Sequence, residues 1–446
     1  MTKSKKFYVF IMLTLQLLCL GFLVQASPST VIPHEFGVCL NENHTLEAHF
    51  KYIGKELNIT QYLDLIDCYY IDFYNTTSTH DLDEQSILEL IRSDPQVLGV
   101  FPNVAFSLDE PVKGEPRSPP KFQNQSYLAP SRADYEVWTQ YDASWSLSYI
   151  SSDQPAPFES DYYYMARGGQ SVDVYVMDTG LDPHVADLHP HRFFTTDSFV
   201  PEEPYTANEH GHGTHVAGIV GNDLFGVCKL CSVISVKTAN STGKFNQTSL
   251  VNAINYVIWR HNGKMFNEPG FKGSVINMSL GGNAAGADYY LLRVMIRKAY
   301  QAGILMVAAA GNNGLPLGFN PGEIEIYPGA SNKVITVGGS LVNNNWYQGS
   351  KYGRMVTIIA PASCESYILE GQTAIWTGTS MAAPHVAGTL ALWLSYEGMI
   401  SLEDAIERLM ENADIDYIQN LPPDTRNAFL NTGIHKGVPY VGAPIR

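Results

Sequence analysis

The stretch Thr377–Gly388, "TGTSMAAPHVAG", places one hydroxyl, Ser380, among small residues just before an apolar segment with helical character. A serine at a helix start is ordinarily a cap. A nucleophilic role needs a base within reach and a group that orients the base. Other parts of the chain carry both. The apolar run "VDVYVM" ends at Asp178 in "MDTG", and "EHGHGTHVAG" carries His210, His212 and His215. The run "ILMVAAA" leads into "GNNG" with Asn312. Imidazole takes a hydroxyl proton near neutral pH, and a buried carboxylate fixes its tautomer and steadies its cation. A helix N-terminus and a side-chain amide supply donors for a developing oxyanion.

The runs "VDVYVM", "VISVK", "SVINMSL", "ILMVAAA", "KVITVGG" and "MVTIIA" alternate with helical segments such as "SLVNAINYVIWRH" and "YYLLRVMIRKAYQAG". Near-continuous apolar strands alternating with helices predict an α/β fold in three layers, a mostly parallel central sheet with helices on both faces. In such sheets ligands gather at the carboxyl ends of the strands, where Asp178 and Asn312 fall.

Organisation along the 446 residues follows from composition. Lys3, Lys5 and Lys6 precede the apolar run "FYVFIMLTLQLLCLGFLV" and a small-residue site at Ala26, so residues 1–26 read as a secretory signal peptide rather than an anchor. Residues 27–108 form a small α+β unit in which "DEQSILELIRSD" has helical rhythm and "PQVLGVFPNVAFSL" reads as a strand. Residues 109–135 have linker composition, 136–433 form the large domain, and 434–446 are a tail. Secretion agrees with the glycosylation triplets headed by Asn43, Asn58, Asn75, Asn124, Asn240 and Asn246. A seventh, at Asn277, sits in a strand-like run and is expected to be buried. Of six cysteines, Cys39 and Cys68 suit a bridge within the first unit, and Cys228, Cys231 and Cys364 suit structural roles. The formal net charge of −16 excludes non-specific nucleic-acid binding.

Taken together, "VMDTG", "HGHGTHVAG", "VINMSLGG", "VAAAGNNG" and "TGTSMAAPHVAG" resemble the sequence blocks of the subtilisin superfamily of serine proteases, in that family's order and over about residues 140–433. "YYYMARGG" and "NAFLNTG" place the resemblance nearest the proteinase K and cerevisin-like fungal branch. The resemblance implies a secretory-pathway serine endopeptidase, made as a self-processing zymogen and working in the extracellular space, cell wall or vacuole. By position it assigns Asp178, His212 and Ser380 as the triad and Asn312 as the oxyanion-hole amide. Gly243, Ser279, Leu280 and Gly281 would hold substrate backbone, and Ala309, Ala310 and Gly311 would line the pocket for the residue before the scissile bond, roomy and suited to apolar or aromatic side chains. His215 and His385 would be structural. The partners implied are protein or peptide substrates and the chain's own first unit as inhibitor, in a monomer. The maturation cut is expected between about 109 and 135.

Departures from the family pattern carry further expectations. Phe245 stands where the substrate-binding edge has glycine and would narrow the cleft. Leu341 replaces a calcium-ligating aspartate; an apolar side chain cannot ligate a hard cation, so that site would be lost, no metal is assigned, no cofactor is required, and weaker calcium sites elsewhere stay open. Ala362 replaces a glycine, and His210 an asparagine. The altered edge motivates an alternative: a protein of this fold with cis-only or no activity, acting as a binding or cell-wall or vacuolar scaffold.

Overall fold

The structure, a computed structural model, describes residues 30–74, 83–118, 137–152, 161–188, 190–201, 203–205, 210–284, 289–317, 325–435 and 438–439. The signal segment, Asn75, Asn124 and most of the expected linker lie outside the described residues.

In the first unit the strands are β1 (Thr30–Leu40), β2 (Gln61–Leu63), β3 (Cys68–Asp72) and β4 (Val97–Ser107). Two helices, α1 (Leu46–Ile53) and α2 (Glu84–Ser93), pack on them. Both helices start at side-chain caps: Thr45 accepts from the Ala48 N–H and Asp83 from the Ser86 N–H. Ile87, Leu88 and Ile91 put the buried stripe of α2 against Val38, Leu40, Tyr69 and Ile71. Cys39 and Cys68 face each other across β1 and β3 and form a disulfide, as their positions suggested. Asp94, after α2, takes hydrogen bonds from His49 Nδ1 at 2.7 Å and His44 Nε2 at 2.9 Å.

A short strand, β5 (Val112–Lys113), follows, and then the large domain. Seven strands of its parallel run frame the site, β6 (Val172–Asp178), β7 (Phe193–Thr195), β8 (Ser232–Lys237), β10 (Gly273–Met278), β11 (Leu305–Ala309), β12 (Ile335–Leu341) and β13 (Ile358–Pro361), and the two-residue strand Ala428–Phe429 adds an eighth beside β13. Between β8 and β10 comes β9 (Lys244–Asn246), which leaves this sheet for another. The spatial order is β13-β12-β11-β10-β6-β8-β7, every pair parallel. Strand β6 therefore sits where the winding direction reverses, the position at which such sheets open a crevice. Every residue of β6, β10, β11 and β13 is buried, as strands covered on both faces require.

Four helices matter for the site: α3 (His212–Gly221), α4 (Gln247–Asn267), α5 (Tyr290–Gln301) and α6 (Thr379–Glu397). Helix α6 is preceded by β14 (Ser363–Tyr367) and β15 (Thr373–Thr377), an antiparallel pair. From Thr379 through Leu394 every α6 residue is buried, so α6 is a core helix, apolar all round. Helices α3 and α6 lie on one face and α4 and α5 on the other, giving the three layers expected.

The two units are not separate bodies. Strand β9 pairs antiparallel with β4, Lys244 opposite Ser107, Phe245 opposite Phe106 and Asn246 opposite Ala105, making β9 the edge of the first unit's sheet. Strand β5 pairs with β15, Lys113 opposite Trp376 and Val112 opposite Thr377.

Candidate active site

Asp178 ends β6 and is fully buried, and Thr179 N–H donates to its Oδ1 at 2.7 Å. His212 opens α3 after Gly211 and is also fully buried. Its Nδ1 lies 2.8 and 2.9 Å from the two Asp178 carboxylate oxygens. That bond fixes the tautomer and leaves Nε2 as the acceptor. Nε2 is buried with no hydrogen-bond partner. His215 and His385 each also keep one buried ring nitrogen without a partner, so it is the pairing with a buried carboxylate that singles out His212 as the base.

Ser380 stands in the first turn of α6. Its Oγ donates to Ser279 O at 3.1 Å rather than to His212. A hydroxyl rotor can turn between these acceptors, and such bonds often tighten only when substrate reacts. Ser279 Oγ in turn donates to Ser380 O at 2.7 Å and receives from Asn277 Nδ2 at 3.0 Å, tying the start of α6 to the end of β10.

Asn312 follows β11. Thr379 N and Thr379 Oγ1 donate to its Oδ1 at 2.8 and 3.0 Å, and the same hydroxyl accepts from Gly311 N at 3.1 Å. The amide is thus held by its oxygen, and Nδ2 is left to donate into the cleft. It donates to Asp109 O at 3.1 Å. Thr379 is a positioning residue that sequence reasoning missed, although it lies inside the opening stretch next to Ser380.

The chain's own residues 104–117 run through this cleft. Leu108 N donates to Gly243 O at 2.8 Å, continuing the β4–β9 ladder. Asp109 then forms one wall of a pocket that it lines together with Ser279, Leu280, Gly281, Ala309, Gly311, Asn312, Thr379 and Ser380. On the far side, beyond Glu110 and Pro111, Gly114 N donates to Ile375 O at 2.9 Å, extending β5 along β15. Gly243 has φ +73, which strains any other residue, and a Cβ there would crowd His210 Nε2 at 3.1 Å and Glu110 Oε1 at 3.3 Å. At Gly378 a Cβ would crowd Asn312 Nδ2 and Pro111 Cβ, both at 3.3 Å.

Of the expected site residues, Ser279, Leu280, Gly281, Ala309, Gly311, Asn312 and Ser380 line this pocket, Gly243 pairs with the threaded chain, and His212, held by Asp178, lies with its ring 6.4 Å from Trp376, whose backbone pairs with Lys113. Ala310 does not line the pocket: it is fully buried, and its N–H bonds to Val337 O. The expectation for Phe245 is corrected. Phe245 is buried, and its ring packs on Phe106 with centroids 5.3 Å apart. Its backbone keeps the pairing glycine would give, and its side chain forms a wall for Phe106, which also stacks on Tyr289 at 5.4 Å. Phe245 walls this groove; it does not block it. Leu341 ends β12 and offers no side-chain oxygen. Among the described residues one group could hold a metal ion, His44, His49 and Asp94, in the first unit away from the cleft.

Charges gather around the threaded segment. Burial pushes the Asp109 carboxyl above its ordinary range, against the opposing pull of the Asn312 N–H, 3.1 Å from Oδ2, and of the Lys351 ammonium. Glu110 is pulled down to about 2, first by its hydrogen bond with His210 Nε2 at 2.7 Å and then by Lys113. Lys113 Nζ sits 5.2 Å above the Trp376 ring.

His215 and His385 are fully buried and bonded to backbone oxygens, Ala374 O at 3.0 Å and Met381 O at 2.8 Å. Burial depresses them to about 3 and about 4. Cys228 and Cys231 are buried and paired, and Cys364 is a buried free thiol whose ionisation burial suppresses. Asn277 is fully buried. Asn43 and Asn58 are exposed, Asn240 and Asn246 half-buried, and the Asn246 amide caps α4 by accepting from Ser249 N.

A doubly wound parallel sheet, with a carboxylate–imidazole pair at the reversal point and a serine at the start of a buried helix, defines a serine hydrolase site. Residues 169–433 match the subtilase family, and the chain belongs to that family. Over 433 residues it is 29% identical to subtilisin-like protease 2 of Trichophyton verrucosum, covering 92% of each chain. It is 31% identical to cerevisin of Saccharomyces cerevisiae over 67% of this chain and 48% of that one, so this match spans about half of the relative. In three dimensions it is similar to a cold-adapted subtilisin-like serine proteinase, with a TM-score of 0.57, 27% identity, and coverage of 65% of this chain and 98% of that structure. It is a subtilisin-like serine-type endopeptidase of the fungal branch that includes cerevisin.

Proposed function

We propose that the protein is a secretory-pathway zymogen that hydrolyses peptide bonds at Ser380 and first cuts its own chain after Asp109. The observation that carries this reading is the Asp109 carbonyl, 3.1 Å from Asn312 Nδ2 in a pocket that Ser380 lines, with the chain paired to the protein on both sides. Backbone pairing along β9 and β15 presents a peptide extended, and the carbonyl between them is the one polarised.

In the reaction His212 Nε2 takes the Ser380 hydroxyl proton as Oγ bonds to the substrate carbonyl carbon. Asp178 holds the imidazole and stabilises its cation. The carbonyl oxygen gains charge against Asn312 Nδ2, a donor prealigned by Thr379. The C–N bond breaks as His212 returns the proton to the leaving amine. Water, deprotonated by the same imidazole, then releases the acyl group and restores Ser380.

The first unit, residues 27–108, serves as folding template and inhibitor, since β4 extends into the cleft through β9. Other substrates are protein or peptide segments able to lie extended, with a bulky apolar residue in the Phe106 position. The mature enzyme acts as a monomer outside the cytoplasm, in the extracellular space, the cell wall or a vacuole; the exposed glycosylation candidates Asn43 and Asn58 leave with the first unit, and Asn240 and Asn246 stay with the enzyme. Among the described residues no helix is long and apolar enough to cross a membrane. The test is covalent labelling of the secreted protein by a fluorophosphonate probe. The wild type should label once and Ser380→Ala not at all; equal labelling of both would sink the proposal.

A further inference from the structure

We propose that the cleft selects acidic residues on both sides of the scissile bond, the Asn312 N–H receiving aspartate before it and His210 receiving glutamate after it. The inference rests on the endopeptidase reading and adds the substrate class.

The pocket for the residue before the cut carries no charge on its own lining, which alone suggests apolar side chains. The chain itself sets Asp109 there. Such a pocket rejects a carboxylate unless something compensates it. Two groups do. The Asn312 N–H donates to Asp109 Oδ2 at 3.1 Å. Behind the pocket wall stands Lys351, only 5% exposed, its backbone N–H bonded to Gly311 O at 2.9 Å. The carboxylate whose field acts on this buried ammonium is Asp109. A buried lysine is costly in a structure where nothing negative approaches. When the segment departs, the field of Asp109 on Lys351 goes with it, and an acidic side chain on the next substrate would restore it.

After the scissile bond the recognition is direct. Glu110 Oε1 lies 2.7 Å from His210 Nε2, and the His210 side chain is 7% exposed. Gly243 leaves the space in which the two meet. The imidazole donates to the carboxylate through Nε2, a bond that an uncharged glutamine in place of Glu110 would make only weakly. Both groups thus sit at the two ends of the same bond, and each is matched by the chain's own sequence, "SLDEPVK" (107–113).

The experiment uses the secreted full-length product, with active sites counted by fluorophosphonate labelling. Four internally quenched peptides carry the chain's own residues 104–113, with Asp or Asn at position 109 and Glu or Gln at 110. For the wild type, kcat/KM should fall about tenfold on the change from Glu to Gln, as coupling across a close charge pair implies, and about fivefold on the change from Asp to Asn, which weakens a hydrogen bond to a charged group. Lys351→Met should bring the Asp/Asn ratio to within about twofold while keeping the Glu/Gln ratio, and His210→Asn should do the reverse. Processing of Asp109→Asn and Glu110→Gln full-length chains gives the same comparison without substituting Lys351 or His210. Equal cleavage of all four peptides by labelled enzyme, or unchanged ratios in both variants, overturns the inference. Absence of labelling would instead defeat the endopeptidase reading beneath it.

Discussion

Replacing Thr379 by valine keeps the volume of a fully buried side chain and removes only its hydroxyl. That hydroxyl donates to Asn312 Oδ1 at 3.0 Å and accepts from Gly311 N at 3.1 Å. Loss of the first bond loosens the amide that polarises the carbonyl, but the Thr379 N–H still holds the same oxygen at 2.8 Å. One of two anchors is lost, so the cost in transition-state stabilisation should be near that of one buried hydrogen bond, about 1.4 kcal/mol, or about tenfold in kcat. Losing the amide itself, as in Asn312→Leu, should cost roughly 10²–10³. KM should change little in either variant, because the substrate backbone is held by β9 and β15. The stranded Gly311 N–H should separately lower folding stability by about 1–3 kcal/mol. Steady-state kinetics normalised to labelled sites, with a thermal melt of each variant, gives all three quantities. Thr379→Ser should restore kcat. The reasoning fails if Thr379→Val loses as much turnover as Asn312→Leu, or if it loses stability with no change in kcat.

Other consequences concern the core and the groove. His215 and His385 are depressed to about 3 and about 4 in the folded protein against an ordinary value of 6.5, so the unfolded chain binds more protons between these limits. Their contribution to stability is intact above pH 6.5 and is lost as pH falls toward 4, on the order of 3 kcal/mol for each ring at the acid end; urea titrations across this range should be less pH-dependent in His215→Gln and His385→Gln than in the wild type. Phe106→Ala removes a ring packed on both Phe245 and Tyr289. It should cost about 3 kcal/mol in the docking of the first unit, read as faster proteolysis of the β4–β5 connection in a Ser380→Ala chain.

Much of the site was legible because chemistry there demands particular residue types at strand and helix ends. Asp178 at the end of β6 and Ser380 in the first turn of α6 are visible as breaks beside apolar runs, and the parallel sheet follows from those runs. What depended on pairing between distant segments was not legible. Residues 109–118 have the proline and charge of a linker, yet Val112–Lys113 form a strand because the β15 edge offers them unpaired backbone. Phe245 reads as an obstruction to a peptide until Phe106 is seen to lie against it. Thr379 looked like a neighbour of the nucleophile, since only the fold brings its hydroxyl to Asn312. Lys351 and His210 lie in separate loops, and their common relation to one peptide bond is a property of the threaded chain.

The most direct measurement is the intact mass of the secreted wild type beside Ser380→Ala. The account predicts a first-unit fragment ending at Asp109 in the wild type and an uncut Asp109–Glu110 bond in the variant. A wild type uncut at this bond, or the same fragment from Ser380→Ala, would contradict it.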